Sequence, residues 1–165
     1  MRLNPDIHFE TGELPSVSAS IQKFFRFWPI AEAVAAMSKD PSTKVGAIAL
    51  DANYNIIATG WNGFPRGVED LPERYANRPI KYKFVSHAEQ NLVAQAAYCG
   101  HSLKGSTLVV TSLYPCSNCA KSIVQAGIVR VIARKPDNDP RWAEEAEFAS
   151  LMFREAGVEV VYYKL

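Results

Sequence analysis

The sequence predicts a three-layer α/β/α domain whose central sheet has five strands of mixed direction. Three observations support this fold class: a helical pattern over residues 17–38, two apolar runs around a turn over residues 45–61, and alternating helical and strand patterns from residue 86 onward. Consecutive strand, helix and strand patterns require crossover connections, so part of the sheet is expected to be parallel.

The N-terminal half supplies helices and a β-hairpin. Apolar residues recur at helical spacing over residues 17–38, and Pro29 interrupts them, which predicts two helical pieces. The apolar runs at residues 45–50 and 56–61 flank a turn-forming segment and predict the hairpin. Residues 60–84 are predicted to form a long loop.

The C-terminal half supplies the other three strands. Gly127 and Gly157 each precede a strand pattern and suit the C-terminal caps of the helices before them. The predicted helices cover residues 86–98, 117–126 and 141–156, and the predicted strands cover residues 108–112, 128–133 and 158–163.

Length and composition favour one domain inside the cell. The chain has 165 residues, 48% of them hydrophobic, which is enough for one core but short for two ordinary domains. We predict a polar N-terminal arm, read as a loop, over residues 1–17 and a single domain over residues 18–165. No signal peptide or membrane span is evident. The chain has three Cys, two of them as Cys-x-x-Cys, a spacing typical of metal or redox sites rather than of a secreted disulfide framework. Because this fits a reducing compartment, the chain is predicted to be a soluble cytoplasmic protein.

Two short motifs predict a catalytic zinc site. His87 opens one predicted helix, and Cys116 and Cys119 open another, where residues three apart project from one face. A helix N-terminus favours the thiolate form that binds zinc. Three protein ligands leave the fourth tetrahedral position to water, which is typical of catalytic rather than structural zinc. One zinc ion per chain is therefore predicted.

Glu89 gives the predicted site its reaction. It lies two residues beyond His87, where it can reach the cavity without binding the metal and can move protons as a general acid and base. The order His-x-Glu followed by Pro-Cys-x-x-Cys is the signature of zinc deaminases of nucleic-acid bases. A purely structural zinc module is the alternative from another class, and it would have no use for Glu89.

Sequence blocks outside the metal motif also resemble a known family. The chain resembles the deoxycytidylate (dCMP) deaminase family, which has the cytidine deaminase-like fold, at residues 38–47, 60–67, 87–91, 115–121 and 125–128. The resemblance covers about residues 20–163. It implies hydrolysis of dCMP to dUMP and ammonia, which supplies dUMP for thymidylate synthesis.

The resemblance also implies substrate contacts. Asn62 and the strand around Lys44 would contact the sugar or base, and Tyr114 corresponds to an aromatic residue near the base. Lys44 and Arg66 are candidates for the 5′-phosphate, because a dianion needs fixed cations. As isolated residues, both would more often be ordinary surface groups, and Tyr114 an ordinary half-buried aromatic.

Regulation and assembly follow from the same resemblance. Family members are activated by dCTP and inhibited by dTTP, effectors that Mg²⁺ would accompany. Residues 64–86 contain no Cys or His for a second zinc. We predict a homo-oligomer, a hexamer by resemblance, through the helix faces around residues 24–28 and 94–98.

Other substrates stay open from sequence. They are 5-substituted dCMP, a free nucleoside or base, and cytosine or adenine in a polynucleotide. The charges are nearly balanced, with 18 Lys and Arg against 17 Asp and Glu, which disfavours a polynucleotide. Phe24, Arg26, Phe27 and Trp28 could be mistaken for a base-stacking platform, but their helical spacing favours a place in the core.

Overall fold

The computed structural model describes residues 8–10, 19–136 and 139–164. The helices are α1 Ala19–Phe25, α2 Trp28–Ala36, α3 Pro72–Ala76, α4 Arg78–Phe84, α5 Ala88–Cys99, α6 Ser117–Gln125 and α7 Ala143–Glu155. The strands are β1 His8–Glu10, β2 Gly46–Leu50, β3 Ile56–Trp61, β4 Thr107–Val110, β5 Arg130–Arg134 and β6 Glu159–Lys164.

The strands form one mixed sheet in the order β1-β6-β5-β4-β2-β3. β4, β5 and β6 are parallel, whereas β2 is antiparallel to both β3 and β4. The five predicted strands are confirmed. The predicted loop character of the arm is wrong at residues 8–10, which pair with β6 as a sixth strand at the edge of the sheet. The rest of that arm lies outside the described residues.

The two halves of the predicted N-terminal helix are confirmed as α1 and α2, with Pro29 in the first turn of α2. The long loop predicted over residues 60–84 is wrong, because α3 and α4 lie within it. Both helices carry a proline in the first turn, and the Asn77 side chain caps α4 by accepting a hydrogen bond from the Ile80 N–H. Their length of five and seven residues is too short to show an apolar stripe.

The sheet has a core on each face, as the three-layer prediction requires. One core joins the sheet to α5, α6 and α7, and the other joins it to α1 and α2. Phe24, Phe25 and Trp28 are each only 5% exposed in the second core. The predicted oligomer surface around residues 24–28 is therefore wrong for these three side chains. No helix within the described ranges has the length and apolarity needed to cross a bilayer.

Two glycines let helices lie directly against the sheet. A Cβ atom at Gly46 would lie 2.2 Å from the Ala31 carbonyl oxygen of α2. A Cβ atom at Gly60 would lie 2.3 Å from the Ala88 carbonyl oxygen of α5. Because these oxygens belong to helix backbones, neither can move aside alone. The position of α5 relative to β3 is thus fixed by the absence of a side chain.

Gly60→Ala is expected to lower the free energy of unfolding by about 3 kcal/mol, the upper end of the usual cost of overpacking. The added methyl group must push α5 away from β3. Urea denaturation measures the change. Gly63→Ala is the matched control, because a Cβ atom there meets only the Trp61 side chain, at 3.8 Å. Equal stability of the two variants would contradict the close approach.

Candidate active site

The predicted metal ligands meet where two helices begin. His87 is the N-cap residue of α5, and Cys116 is the N-cap residue of α6. The His87 Nδ1 atom lies 3.5 Å from the Cys116 Sγ atom and 3.4 Å from the Cys119 Sγ atom. All three ligand atoms lie within 4.8 Å of one another. Of the groups in the described part of the chain, this one has the composition of a zinc site.

The three side chains of this group hydrogen-bond to one another. Hydrogen bonds from Cys119 and His87 lower the pKa of Cys116 to about 4, in spite of its partial burial. The pKa of Cys119 is raised because it donates to Cys116 and is buried, and Cys116 also raises the pKa of His87. Two sulfurs and one imidazole nitrogen are a donor set that suits zinc and leave one position open. Metal binding is expected to release protons.

Glu89 is a buried carboxyl group beside these donors. Its exposed fraction is 4%, and burial raises the pKa of its carboxyl group above the usual range. Glu89 lines the same cavity as His87 and Cys116. A buried carboxyl group with a raised pKa holds a proton more readily than an exposed one, which suits a group that must both accept and return protons.

The cavity has the size of a small-ligand site. Its volume is about 590 Å³, inside the usual range of roughly 300–1,000 Å³. Its walls come from the loop before β2, the end of β3 at Asn62, helices α3 and α4, and the start of α5. The segment between β4 and α6 and the segment from the end of β5 into the first turn of α7 complete them. The carboxyl ends of β4 and β5 therefore open onto the cavity, as is common for ligand sites in α/β folds.

Asn62 lines the cavity, and its side chain holds the loop before β2. The Asn62 amide donates to the Thr43 carbonyl oxygen at 2.8 Å and accepts from the Val45 N–H at 2.8 Å. Ser38 Oγ donates to the Asn62 carbonyl oxygen at 2.7 Å. The Asn62 side chain, predicted from sequence to contact the sugar or base, is thus largely occupied by hydrogen bonds within the protein.

A buried ion pair that sequence analysis missed joins this loop to α4. Lys81 Nζ lies 2.7 Å from Asp40 Oδ2, with side chains 10% and 3% exposed. Burial alone would raise the pKa of Asp40, but hydrogen bonds from Lys81 and from the N–H groups of Ser42 and Thr43 outweigh it and lower the pKa. Both charged residues line the cavity, so the ion pair connects the wall formed by the loop before β2 to the wall formed by α4.

Lys81→Met is expected to lower the free energy of unfolding by about 3–5 kcal/mol, because it leaves the buried Asp40 charge without its partner. Thermal or urea denaturation measures the loss. Lys83→Met, at an exposed position of the same helix, is the control and should change stability little. Adding Asp40→Asn to Lys81→Met should recover part of the loss, and no recovery would contradict this explanation.

The structure does not bring the two predicted phosphate ligands to the cavity. Lys44 is exposed, and its Nζ lies 3.5 Å from the Ala36 carbonyl oxygen. The guanidinium of Arg66 lies over the Tyr98 ring, 4.2 Å from its centre. Neither residue lines the cavity. Tyr114 does line it, and its ring packs edge-on against Phe153.

Other cations do line the cavity. Arg134 is the last residue of β5, Lys135 follows it, and Arg141 precedes α7. Arg141 is paired with Asp139, whereas the Arg134 side chain has no hydrogen bond or ion pair with another described residue. The sequence holds no motif around Arg134. The only available signal was its position at the end of a predicted strand, where such sheets bind ligands.

Comparison with known proteins agrees with this geometry. The family described as the cytidine and deoxycytidylate deaminase zinc-binding region matches residues 21–135, which include Glu89 and the three predicted metal ligands. The chain belongs to this family. The zinc-binding character of the family agrees with the group of metal-ligating residues in this structure, His87, Cys116 and Cys119.

Relatives within the family cover most of the chain. A protein of Aliivibrio fischeri, described as an uncharacterized deaminase in the luxG 3′ region, is 40% identical over 142 residues, 85% of this chain and 92% of that protein. The deoxycytidylate deaminase of Mus musculus is 39% identical over 137 residues, 80% of this chain and 74% of that protein. The dCMP deaminase of cyanophage S-TIM5, solved in complex with dCMP and dUMP, is 32% identical with a TM-score of 0.66, covering 88% of this chain and 98% of that one.

Proposed function

We propose that this protein deaminates dCMP to dUMP, with water as co-substrate and ammonia as second product. One observation carries the proposal: the buried Glu89, two members of the zinc-ligand group and Arg134, whose side chain pairs with no described residue, line one nucleotide-sized cavity. The relatives named deoxycytidylate deaminase support it. No feature of the described residues favours a polynucleotide substrate.

His87, Cys116 and Cys119 would hold one zinc ion per chain. Bound there, zinc supplies the Lewis acidity that makes water a nucleophile near neutral pH. Glu89 accepts a proton from the attacking water and delivers it to ring N3. It then takes the remaining proton from the hydroxyl group added at C4 and passes it to the departing amine as the C4–N bond breaks. The reaction therefore balances without any further reactant.

Arg134 and Lys135 are the proposed contacts of the 5′-phosphate. A guanidinium presents paired donors that match a phosphate dianion. Arg134 is half-buried at the cavity, and no described residue neutralises its charge. Tyr114 would pack near the base. Asn62 would act mainly by fixing the loop that forms the opposite wall.

The direct experiment measures ammonia release from a panel of substrates by purified, zinc-loaded protein. The panel contains dCMP, CMP, dCTP, deoxycytidine, cytosine, 5-substituted dCMP and a single-stranded oligonucleotide. We expect dCMP to have the highest kcat/KM. A higher value for deoxycytidine or the oligonucleotide would overturn the nucleotide assignment while leaving the zinc chemistry in place.

Assembly and regulation belong to the same proposal. Ala94, Ala97 and Tyr98 form an exposed stretch of α5 that can serve a homo-oligomer, proposed by resemblance to be a hexamer. The resemblance supports regulation by dCTP and dTTP, with Mg²⁺ on the effector. The sequence supports a cytoplasmic location. Light scattering with and without the two nucleotides, together with rate measurements, tests the first two points.

A further inference from the structure

The N-terminus of α6 lacks a cap of its own. Its N-cap residue is Cys116, a metal ligand whose side chain makes no capping hydrogen bond, and its first turn contains no acidic residue. The first N–H groups of a helix need acceptors from elsewhere, and an anion there is stabilised by the helix dipole. This end of α6 carries two of the three zinc ligands, so its position matters to the metal site.

Glu145 supplies the missing acceptor from another helix. Its Oε2 atom accepts a hydrogen bond from the Ser117 N–H at 3.0 Å, although the two residues are 28 positions apart. The hydroxyl and the backbone N–H of Ser117 lower the pKa of the Glu145 carboxyl group, which keeps it ionised. Glu145 is half-buried, lies in the first turn of α7 and lines the cavity.

A second bond from α7 lies on the other side of Cys116. The Tyr114 hydroxyl and Ser150 Oγ are 3.0 Å apart, and Ser150 donates to the Ala146 carbonyl oxygen at 2.7 Å. Tyr114 is therefore the donor to Ser150. Residues 114 and 117 flank the Pro115–Cys116 pair, so α7 holds the segment that carries the Cys116 ligand at two points. Helix α7 also has three buried apolar residues, Ala146, Ala149 and Phe153, and the Phe153 ring contacts the Tyr114 ring.

We propose that Glu145 is a positioning residue for the zinc site: it fixes the start of α6 so that the Cys116 thiolate faces His87, and its negative charge stabilises the bound cation. The proposal rests on the zinc site of the proposed function but not on its substrate. Outer partners of metal ligands typically affect metal affinity or activity by about 10–100-fold when removed.

Zinc affinity, measured by competition with a chromophoric chelator and without nucleotide, tests the proposal. We expect Glu145→Ala to weaken zinc binding by about 10–100-fold. Glu145→Gln should weaken it by about tenfold, because the amide still accepts from Ser117 but carries no charge, and bonds to ionised groups are about twice as strong as neutral ones. The matched controls Glu144→Ala and Glu144→Gln, at an exposed position in the same turn of α7, should leave the affinity unchanged.

The Co²⁺ form gives a readout of ligand geometry. Its visible d–d bands should shift or weaken in Glu145→Gln and stay unchanged in Glu144→Gln. If Glu145→Ala fails to fold, the comparison of Glu145→Gln with Glu144→Gln is sufficient by itself. Equal zinc affinity of these two variants would overturn the proposal. A lower urea midpoint of the metal-free Glu145 variants with unchanged zinc affinity would also overturn it, since it would show a role in stability only. Because no substrate is present, failure of dCMP turnover would leave this result intact.

Discussion

Glu89→Gln is expected to lower kcat for dCMP by roughly 10²–10⁴-fold, the range assigned to a general acid–base group. Glutamine has nearly the same shape but cannot take a proton from water or return it to ring N3. Because Glu89 is buried and its carboxyl group has a raised pKa, the neutral replacement should be well tolerated by the fold. Steady-state ammonia release, with zinc content measured on the same sample, gives the result.

The control separates catalysis from metal binding. Cys116→Ala should lose zinc together with activity, since a methyl group cannot replace a thiolate ligand. Glu89→Gln should instead retain about one zinc per chain. A Glu89→Gln protein that turns over dCMP at the original rate would remove Glu89 from the mechanism, and a variant that has lost its zinc would show that its role is structural.

The second large effect concerns the phosphate. We expect kcat/KM for dCMP to exceed that for deoxycytidine by about a hundredfold or more, because hydrogen bonds to charged groups contribute about 1.5–3 kcal/mol each and two are proposed. Binding energy from a remote phosphate can be used to place the base correctly, so kcat should respond as well as KM. Arg134→Gln is expected to reduce the preference by roughly tenfold, the loss of one such contact.

Arg66→Gln is the matched comparison for Arg134→Gln. Both variants remove one positive charge, but Arg66 contacts the Tyr98 ring and does not line the cavity. Its ratio of dCMP to deoxycytidine turnover should therefore stay the same. If Arg66→Gln narrowed the ratio and Arg134→Gln did not, the phosphate site indicated by the sequence blocks would replace the one indicated by the cavity.

The grouping of His87, Cys116 and Cys119 with Glu89 in one site could be predicted from sequence because the motifs are local. Each motif lies within one helical turn, where spacing alone fixes which side chains share a face. The hairpin and the alternating half of the chain were predictable for a similar reason, since their apolar periods extend over whole elements. The structure confirms those strands as β2 to β6.

The residues now proposed to contact the substrate could not be predicted in the same way. Lys44 and Arg66 lie in the right sequence blocks, but their side chains turn to Ala36 and Tyr98, contacts that depend on how α2 and α5 pack. Arg134 reaches the cavity only because a strand ends there. The edge strand β1 needs a partner from the far end of the chain, and pairing between distant segments leaves no local pattern.

The close approach at Gly60 restricts the movement of α5 relative to β3. With no side chain between them, α5 and β3 meet backbone to backbone, and sliding of one past the other is blocked by the Ala88 carbonyl oxygen and the Leu92 N–H. We expect His87 to move with the sheet as one rigid unit, and the amide of Leu92 to exchange with deuterium only on global opening. The histidine ligand should therefore keep its position relative to the sheet whether or not the site holds a metal ion.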